Sequence, residues 1–232
     1  MRDAFVGTFS YNLLRISTMD RRPLKTRGAS WAKNLAASLA QLGLTPNLIS
    51  LLSVVFAFLV LFAGSLAKSN PSYFLICAGL IQLRLLCNLL DGMVAVEHGK
   101  SSANGELFND VPDRFADIFI IVGASFSIVD DGYVISPLNL AWIASSLAVI
   151  TAYIRVLGKS LGTSSYFIGP MAKQHRMFLL TLALIIEFFL IGSSFSTKIL
   201  YIALVIIATG SLVTTFRRLR IISSDLLKGN LK

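Results

Sequence analysis

The sequence predicts an all-α membrane protein with six transmembrane helices, preceded by an N-terminal amphipathic helix in the membrane interface. Of its 232 residues, 55% are hydrophobic and only 14% are charged, whereas soluble domains carry about 25% charged residues. Apolar stretches recur along the chain, each close to the roughly 20 residues that a helix needs to cross a bilayer. Because lipid offers no partner to exposed backbone groups, these stretches must be helices rather than open strands.

Six apolar stretches are candidate spans. They lie at residues 48–67, 73–95, 105–129, 137–158, 177–195 and 198–216. The last two are separated by a few residues, which predicts a tight hairpin. Thr45-Pro46-Asn47 precedes the first stretch and is typical of a helix start, with Thr as cap and Pro in the first turn. Cys77 and Cys87 fall in one stretch and are expected to pack without forming a disulfide.

An amphipathic segment, SWAKNLAASLAQLGL, precedes the first span. It places Trp31, Leu35, Leu39 and Leu42 at helical spacing, and Gly43 provides a stop. This pattern favours a helix in the plane of the interface, with an ordinary packed helix as the alternative. The predicted organisation is an N-terminal cytoplasmic segment, a six-span membrane domain and a basic cytoplasmic tail. These three parts are residues 1–47, 48–216 and 217–232.

The basic residues predict the orientation. The formal net charge is +9, and with a cytoplasmic N-terminus most Lys and Arg residues outside the spans fall on one side. The other side then has Lys68 and Lys198, together with Asp130 and Asp131. The positive-inside rule predicts that both termini face the cytoplasm. The expected location is a bacterial inner membrane. The charge therefore indicates topology and anionic lipid rather than nucleic acid. The first residues lack the continuous apolar core of a signal peptide.

Acidic residues are concentrated around the second and third spans. Six of the twelve in the chain lie between residues 91 and 117. They are Asp91, Glu97, Glu106, Asp110, Asp113 and Asp117. A charged side chain costs roughly 2.5–3.5 kcal/mol at mid-bilayer on insertion scales, so such groups usually face a cavity or one another. The predicted topology opens this cluster toward the cytoplasm.

Helical spacing groups the oxygen atoms of this cluster. Asn88 and Asp91 are three residues apart on the second span, and Asn109, Asp113 and Asp117 are spaced by four on the third. A short polar turn joins the two faces, so they can meet around a hard cation. Mg²⁺ prefers carboxylate and carbonyl oxygens and keeps water and substrate phosphates in its shell. The two faces are therefore a candidate cation site.

Small residues flank this candidate site. Gly92, Ala95 and Gly105 allow close approach, either by a ligand or by a neighbouring helix that packs there. Arg84 either points into the cavity or pairs with an acid such as Asp117. Arg114 is expected to be an ion-pair partner of the acids near it.

The segment NLLDGMVAVEHGKSSANGELFNDVPD resembles, without a gap, the signature of the CDP-alcohol phosphotransferases, D-x2-D-G-x2-A-R-x8-G-x3-D-x3-D. The matching positions are Asn88, Asp91, Gly92, Ala95, Val96, Gly105, Asn109 and Asp113. The resemblance implies transfer of a phosphoalcohol, often a phosphatidyl group from CDP-diacylglycerol, to an acceptor hydroxyl with release of CMP. That reaction belongs to phospholipid biosynthesis.

The resemblance also implies roles for these residues. Asn88, Asp91, Asn109 and Asp113 would bind Mg²⁺ or Mn²⁺, commonly as two ions in the family. Asp91 and Asp113 would be catalytic, with Asp113 the candidate base for the acceptor proton. The cytidine pocket would be lined by Gly92, Ala95 and Gly105. The membrane lipid is a further expected partner, and homodimers are common in the family.

Three departures from the signature bear on activity. The first and third acids are Asn88 and Asn109, and the usual arginine is Val96. Two negative charges are lost, which lowers the expected metal affinity and leaves the number of ions, one or two, open. The kept spacing favours a divergent active subgroup. The alternative is a catalytically inactive member that binds lipid or nucleotide, and a small transporter is disfavoured because no inverted repeat is visible.

Basic residues near the fourth and fifth spans complete the candidate site. Arg155, Lys173 and Arg176 fit a phosphate-handling role by charge and by forked hydrogen bonding. Positive-inside anchoring is the alternative, and it applies less to Arg155, which lies deeper in its span.

Overall fold

The computed structural model describes residues 25–97, 99, 104–193, 196 and 198–229, and the regular elements in this part are all helical. A short 3-10 helix, Lys25–Gly28, is followed by seven α-helices. They are α1 (Ser30–Gln41), α2 (Pro46–Leu66), α3 (Ser72–Glu97), α4 (Gly105–Phe126), α5 (Pro137–Ser160), α6 (Lys173–Phe189) and α7 (Lys198–Leu227). The predictions for residues 1–24, for most of the turn after α3 and for the Glu106 side chain lie outside the described residues.

Helices α2 to α7 coincide with the six predicted apolar stretches. Four of them, α2, α3, α5 and α7, are long and apolar enough to cross a membrane. The chain is therefore an all-α membrane protein. Helix α4 carries four of the six clustered acids, and α6 has 17 residues. These two helices are therefore not among the four candidate spans, α4 because of its charged residues and α6 because of its length. The sequence predicts that both of them also cross the membrane.

Three helix ends differ clearly from the predicted ones, and one of them is the end of α6, at Phe189 rather than residue 195. Helix α6 begins at Lys173 rather than near residue 177, so the basic segment lies in its first turn. Helix α7 continues to Leu227, so the predicted boundary at residue 216 falls inside a continuous helix. The apolar run ends near Arg217, but Arg218 is buried and donates to the carbonyl oxygens of Thr151, at 2.5 Å, and Ile168, at 3.0 Å. These bonds hold the polar end of α7 against the bundle.

Local sequence accounts for where α2 and α1 begin and end. The Thr45 hydroxyl accepts a hydrogen bond from the backbone N–H of Leu48 at 3.3 Å, and Pro46 is the first helical residue. The predicted cap is thus confirmed. Helix α1 ends before Gly43, which has φ = 81°, a left-handed conformation that glycine adopts without strain. Cys77 and Cys87 are buried and free, as the sequence predicts.

Helices α2 and α4 cross at two glycines. A Cβ atom added to Gly64 would lie 2.0 Å from the carbonyl oxygen of Gly123, and one added to Gly123 would lie 2.8 Å from the backbone of Val60. The two backbones are therefore in direct contact. This close crossing fixes α4 against α2 and sets the position of the acidic residues that α4 carries.

Helix α1 packs against the end of α3 through small residues. Ala32 and Ala36 are buried with Met93 and Val94 of α3. Leu35 and Leu39 are partly buried against the same cluster, whereas Trp31 and Leu42 are 51% and 77% exposed. Helix α1 therefore covers the end of α3 that carries the signature residues.

A buried acid joins the last two helices. Glu187 of α6 is fully buried, and its carboxylate accepts a hydrogen bond from the backbone N–H of Leu200 at 2.8 Å. Backbone N–H groups in the first turn of a helix have no partner within the helix. Glu187 therefore caps α7 and has a structural role that the sequence does not reveal.

Candidate active site

The four signature positions line one cavity. Asn88 and Asp91 come from α3, Asn109 and Asp113 come from α4, and the cavity has a volume of about 540 Å³. The two helices make few direct contacts with each other, because α4 packs mainly on α2 and α5. The space left between their ends is the cavity, as the spacing of the oxygen-bearing residues predicts.

Lys173 reaches into this cavity from the first turn of α6. Its ammonium group lies 2.7 Å from Oδ1 of Asn88 and 2.5 Å from Oδ2 of Asp113. The amide nitrogen of Asn88 in turn donates to Oδ1 of Asn109, at 3.3 Å, and to Oδ1 of Asp113, at 3.1 Å. Three signature positions and Lys173 thus form one hydrogen-bonded group.

A second group lies deeper, around Asp117. Its carboxylate accepts from Nη2 of Arg84 at 3.1 Å and from Nη2 of Arg176 at 2.7 Å. The same Arg84 nitrogen lies 3.2 Å from Oδ1 of Asp113, which links the two groups. Arg84, Arg176 and Asp117 are all buried. The predicted pairing of Arg84 with Asp117 is confirmed.

Asp91 is held by a different set of donors. Its Oδ2 accepts a hydrogen bond from the hydroxyl of Ser50 at 2.6 Å, and its Oδ1 accepts from the backbone N–H of Gly92 at 2.5 Å. Ser50 belongs to α2 and is itself buried. Helix α2 therefore orients Asp91, a contact that the sequence analysis missed. The available signal was a pair of serines, Ser50 and Ser53, within an otherwise apolar stretch.

Arg155 lies at the edge of the cavity. Its Nη2 is 3.2 Å from Oδ1 of Asp110, and its guanidinium stacks over the ring of Phe167, with the carbon 5.1 Å from the ring centroid. Asp110 also lies 3.6 Å from Arg114, so the predicted ion-pair role of Arg114 is confirmed. Asp110, which is not a signature position, lines the cavity and pairs with these two arginines.

Of the three small residues predicted to flank the site, only one lines the cavity among the described residues. Gly92 lines the cavity, and a Cβ atom there would lie 3.7 Å from Nη2 of Arg27. Ala95 lies one turn further along α3, and Gly105 is the first residue of α4. Neither is among the described residues that line the cavity. Val96 is half exposed near the end of α3.

The donor types present fit a hard cation, but the carboxylates are few. In the described part of the chain no set of three or more Asp, Glu, His or Cys side chains is arranged to hold a metal ion. The signature positions offer two carboxylates and two amide oxygens. Mg²⁺ can be bound through one or two carboxylates when substrate phosphates and water complete its shell. The residues therefore fit a cation that a phosphate-bearing substrate helps to bind.

Comparison with known proteins assigns the family. The model of the CDP-alcohol phosphatidyltransferase family matches residues 43–216, which is most of the chain. The protein belongs to the CDP-alcohol phosphatidyltransferase family. Among curated proteins no significant match is found.

Solved structures show the same fold. The chain is similar to Mycobacterium tuberculosis phosphatidylinositol phosphate synthase (PgsA1) with CDP-DAG bound, with a TM-score of 0.68 and 19% identity over 84% of this chain and 94% of that one. The same enzyme in complex with manganese and citrate gives a TM-score of 0.67 and 19% identity over 82% and 88%. At this identity the likeness concerns the fold.

Proposed function

We propose that the protein transfers a phosphatidyl group from CDP-diacylglycerol, or another phosphoalcohol from a CDP-alcohol, to an acceptor hydroxyl in phospholipid biosynthesis. The observation that carries this proposal is that Asn88, Asp91, Asn109 and Asp113 meet at one cavity. Family membership supports it, and so does the fold shared with an enzyme whose structure contains CDP-DAG. Glycerol phosphate, inositol phosphate, serine, choline and a second lipid all carry a suitable hydroxyl.

The reaction is a substitution at phosphorus. The acceptor oxygen bonds to the phosphorus that carries the alcohol, the bond from that phosphorus to the bridging oxygen breaks, and CMP leaves with the bridging oxygen. The acceptor proton passes to a base, for which Asp113 is the candidate. Asp91, oriented by Ser50, faces the same cavity.

A divalent cation, Mg²⁺ or Mn²⁺, would take its protein ligands from among the four signature positions, Asn88, Asp91, Asn109 and Asp113. When bound, it would neutralise charge on the diphosphate. The structure of PgsA1 in complex with manganese supports divalent metal use in this fold.

The two arginines of the candidate site, Arg155 and Arg176, differ in the exposed fraction of their side chains. The Arg155 side chain is 20% exposed at the cavity edge, so it is the proposed phosphate contact. Arg176 is 2% exposed and is bound to Asp117 and to the carbonyl of Met171, so we assign it to positioning the start of α6. Gly92 is the proposed cytidine neighbour. Ala95 and Gly105 stay in the proposal as pocket residues on the family signature alone.

Six membrane crossings are part of the proposal. At 1.5 Å per residue, α4 is about 33 Å long and α6 about 26 Å, close to the roughly 30 Å of a bilayer core. With α1 in the interface, both termini and the active site face the cytoplasm of a bacterial inner membrane, in the three-part organisation that the sequence predicts. A homodimer, as is common in the family, completes this proposal.

The test is CMP release by the purified protein. With CDP-diacylglycerol, Mg²⁺ or Mn²⁺ and the acceptors named above, the wild type should release CMP, and Asp113→Asn should lower the rate by at least about 100-fold, within the usual range for a general base. Asp131→Asn, in an exposed loop, is the control and should keep the wild-type rate. CDP-diacylglycerol that binds without any CMP release would instead identify an inactive family member.

A further inference from the structure

Lys173 occupies a specific place among the signature residues. Its ammonium contacts Oδ1 of Asn88 at 2.7 Å and Oδ2 of Asp113 at 2.5 Å. These atoms belong to the first and fourth acidic positions of the family signature. A lysine ammonium only donates hydrogen bonds, so the oxygen of the Asn88 amide faces it. The contact therefore joins a cation to two oxygens that stand where the signature has metal-binding acids.

A metal ion and this ammonium exclude each other at that place. A magnesium ion on the same two oxygens would lie about 2.1 Å from each of them. The Lys173 nitrogen already lies in that space, at 2.5 and 2.7 Å. The remaining oxygens of the group, Oδ1 of Asn109 and Oδ1 of Asp113, accept hydrogen bonds from the Asn88 amide. The carboxylate of Asp91 lies outside this hydrogen-bonded group, held by Ser50 and Gly92.

The charges agree with this exclusion. Four carboxylates match the charge of two divalent ions, whereas Asn88 and Asn109 reduce the signature to two carboxylates. Removing two negative charges weakens the attraction for a second divalent ion, and a singly charged ammonium needs less negative charge around it. The Lys173 ammonium is a compact point charge on a flexible stem, suited to filling an ion site.

We infer that the Lys173 ammonium takes the place of one of the two divalent cations of the family's centre, between Asn88 and Asp113. A single divalent ion then remains, at Asp91. This inference rests on the proposed function in so far as the metals serve that reaction. It explains why two acids can be replaced by asparagine while the spacing of the signature is kept.

The experiment counts bound ions directly. Mn²⁺ binding to the full-length protein in detergent is measured by electron paramagnetic resonance with CDP-diacylglycerol present and no acceptor added, so that the substrate phosphates can complete the ion's shell without turnover. The wild type should bind one Mn²⁺ per chain, and N88D/N109D/K173M should bind two. The matched control is N88D/N109D/K33M, which restores the same carboxylates but keeps Lys173. Its second ion should bind at least about tenfold more weakly, because the ammonium repels it. Two ions on the wild type, or equal second-ion binding in both triple variants, would overturn the inference.

A single substitution serves if the triple variants do not fold. Lys173→Met should bind its one Mn²⁺ about tenfold more tightly than the wild type, because a nearby positive charge is removed. Unchanged affinity would refute the assignment. The two proposals fail separately, since the ion count needs no turnover. A protein that shows the expected ion counts but never releases CMP would reject the proposed reaction alone.

Discussion

Through the hydrogen bond between Ser50 and Asp91, α2 contributes to the proposed active site. The hydroxyl donates to the carboxylate at 2.6 Å in a buried setting. Hydrogen bonds to charged groups contribute about 1.5–3 kcal/mol. Asp91 is a catalytic candidate, so a change in its orientation should alter the rate before it alters the fold.

Ser50→Ala should therefore lower the rate of CMP release by about tenfold, which corresponds to roughly 1.4 kcal/mol. The control is Ser53→Ala, one turn further along α2. Ser53 is equally buried, but its hydroxyl bonds to the carbonyl of Ser50 rather than to Asp91. Rates are measured alongside thermal unfolding. If the two variants lose activity equally, Ser50 does not act through Asp91.

At the residue scale, sequence reasoning succeeded where spacing along one helix carried the information. Asn88 and Asp91 share a face of α3, and Asn109 and Asp113 share a face of α4. Contacts between distant segments were harder. Ser50 and Asp91 are 41 residues apart, and Lys173 and Asp113 are 60 apart. No periodicity within one helix encodes such pairs, because the crossing of the helices decides them.

Helix crossing is the determinant at the element scale. The signature residues of α4 are placed by its contact with α2 at Gly64 and Gly123, where the backbones touch. In lipid no hydrophobic effect drives helices together, so close packing must hold them. Small residues allow two helix backbones to approach closely enough for such packing. The sequence shows both glycines but not that they face each other.

Gly64→Val should destabilise the protein strongly. The added Cβ atom would meet the Gly123 carbonyl at 2.0 Å, so the backbones must separate. Overpacking costs about 1–3 kcal/mol, and backbone displacement places this variant at the upper end. The control is Gly79→Val on α3, where a Cβ atom meets nothing within 4 Å. Thermal unfolding in detergent compares them. Equal melting temperatures would show that the α2–α4 crossing tolerates the larger side chain.

The sequence predicts which segments are helical better than it predicts where the helices end. Apolar runs and the Thr45-Pro46 cap located α2 to α5 closely. The ends of α6 and α7 were displaced, because their polar turns are stabilised by tertiary contacts. The polar end of α7 is held by Arg218, and loop residue Tyr166 donates a hydrogen bond to Asp225 of the same helix, which raises the pKa of Tyr166 above its ordinary value.

At the scale of the whole molecule, the charged cavity and the basic helix ends lie at the same end of the bundle. Lys173, Arg176 and Arg155 contact the acids of α4 there. The loop between α4 and α5 carries Asp130 and Asp131 instead. Positive-inside topology and substrate access therefore both support the proposed orientation, with this end of the bundle toward the cytoplasm. A cytoplasmic cavity mouth would admit CDP-linked donors and soluble acceptors.

This orientation is tested by cysteine labelling. The native Cys77 and Cys87 are buried, so the background with an impermeant maleimide should be low. Asp131→Cys, exposed between α4 and α5, should react in intact cells. Lys228→Cys, exposed after α7, should react only after the membrane is permeabilised, because an odd number of crossings, α5, α6 and α7, separates the two positions. Labelling of both positions from outside would show that an even number of crossings separates them. Labelling of Lys228→Cys alone would show that the topology is inverted. Either result would contradict a cavity mouth that faces the cytoplasm and its proposed substrates.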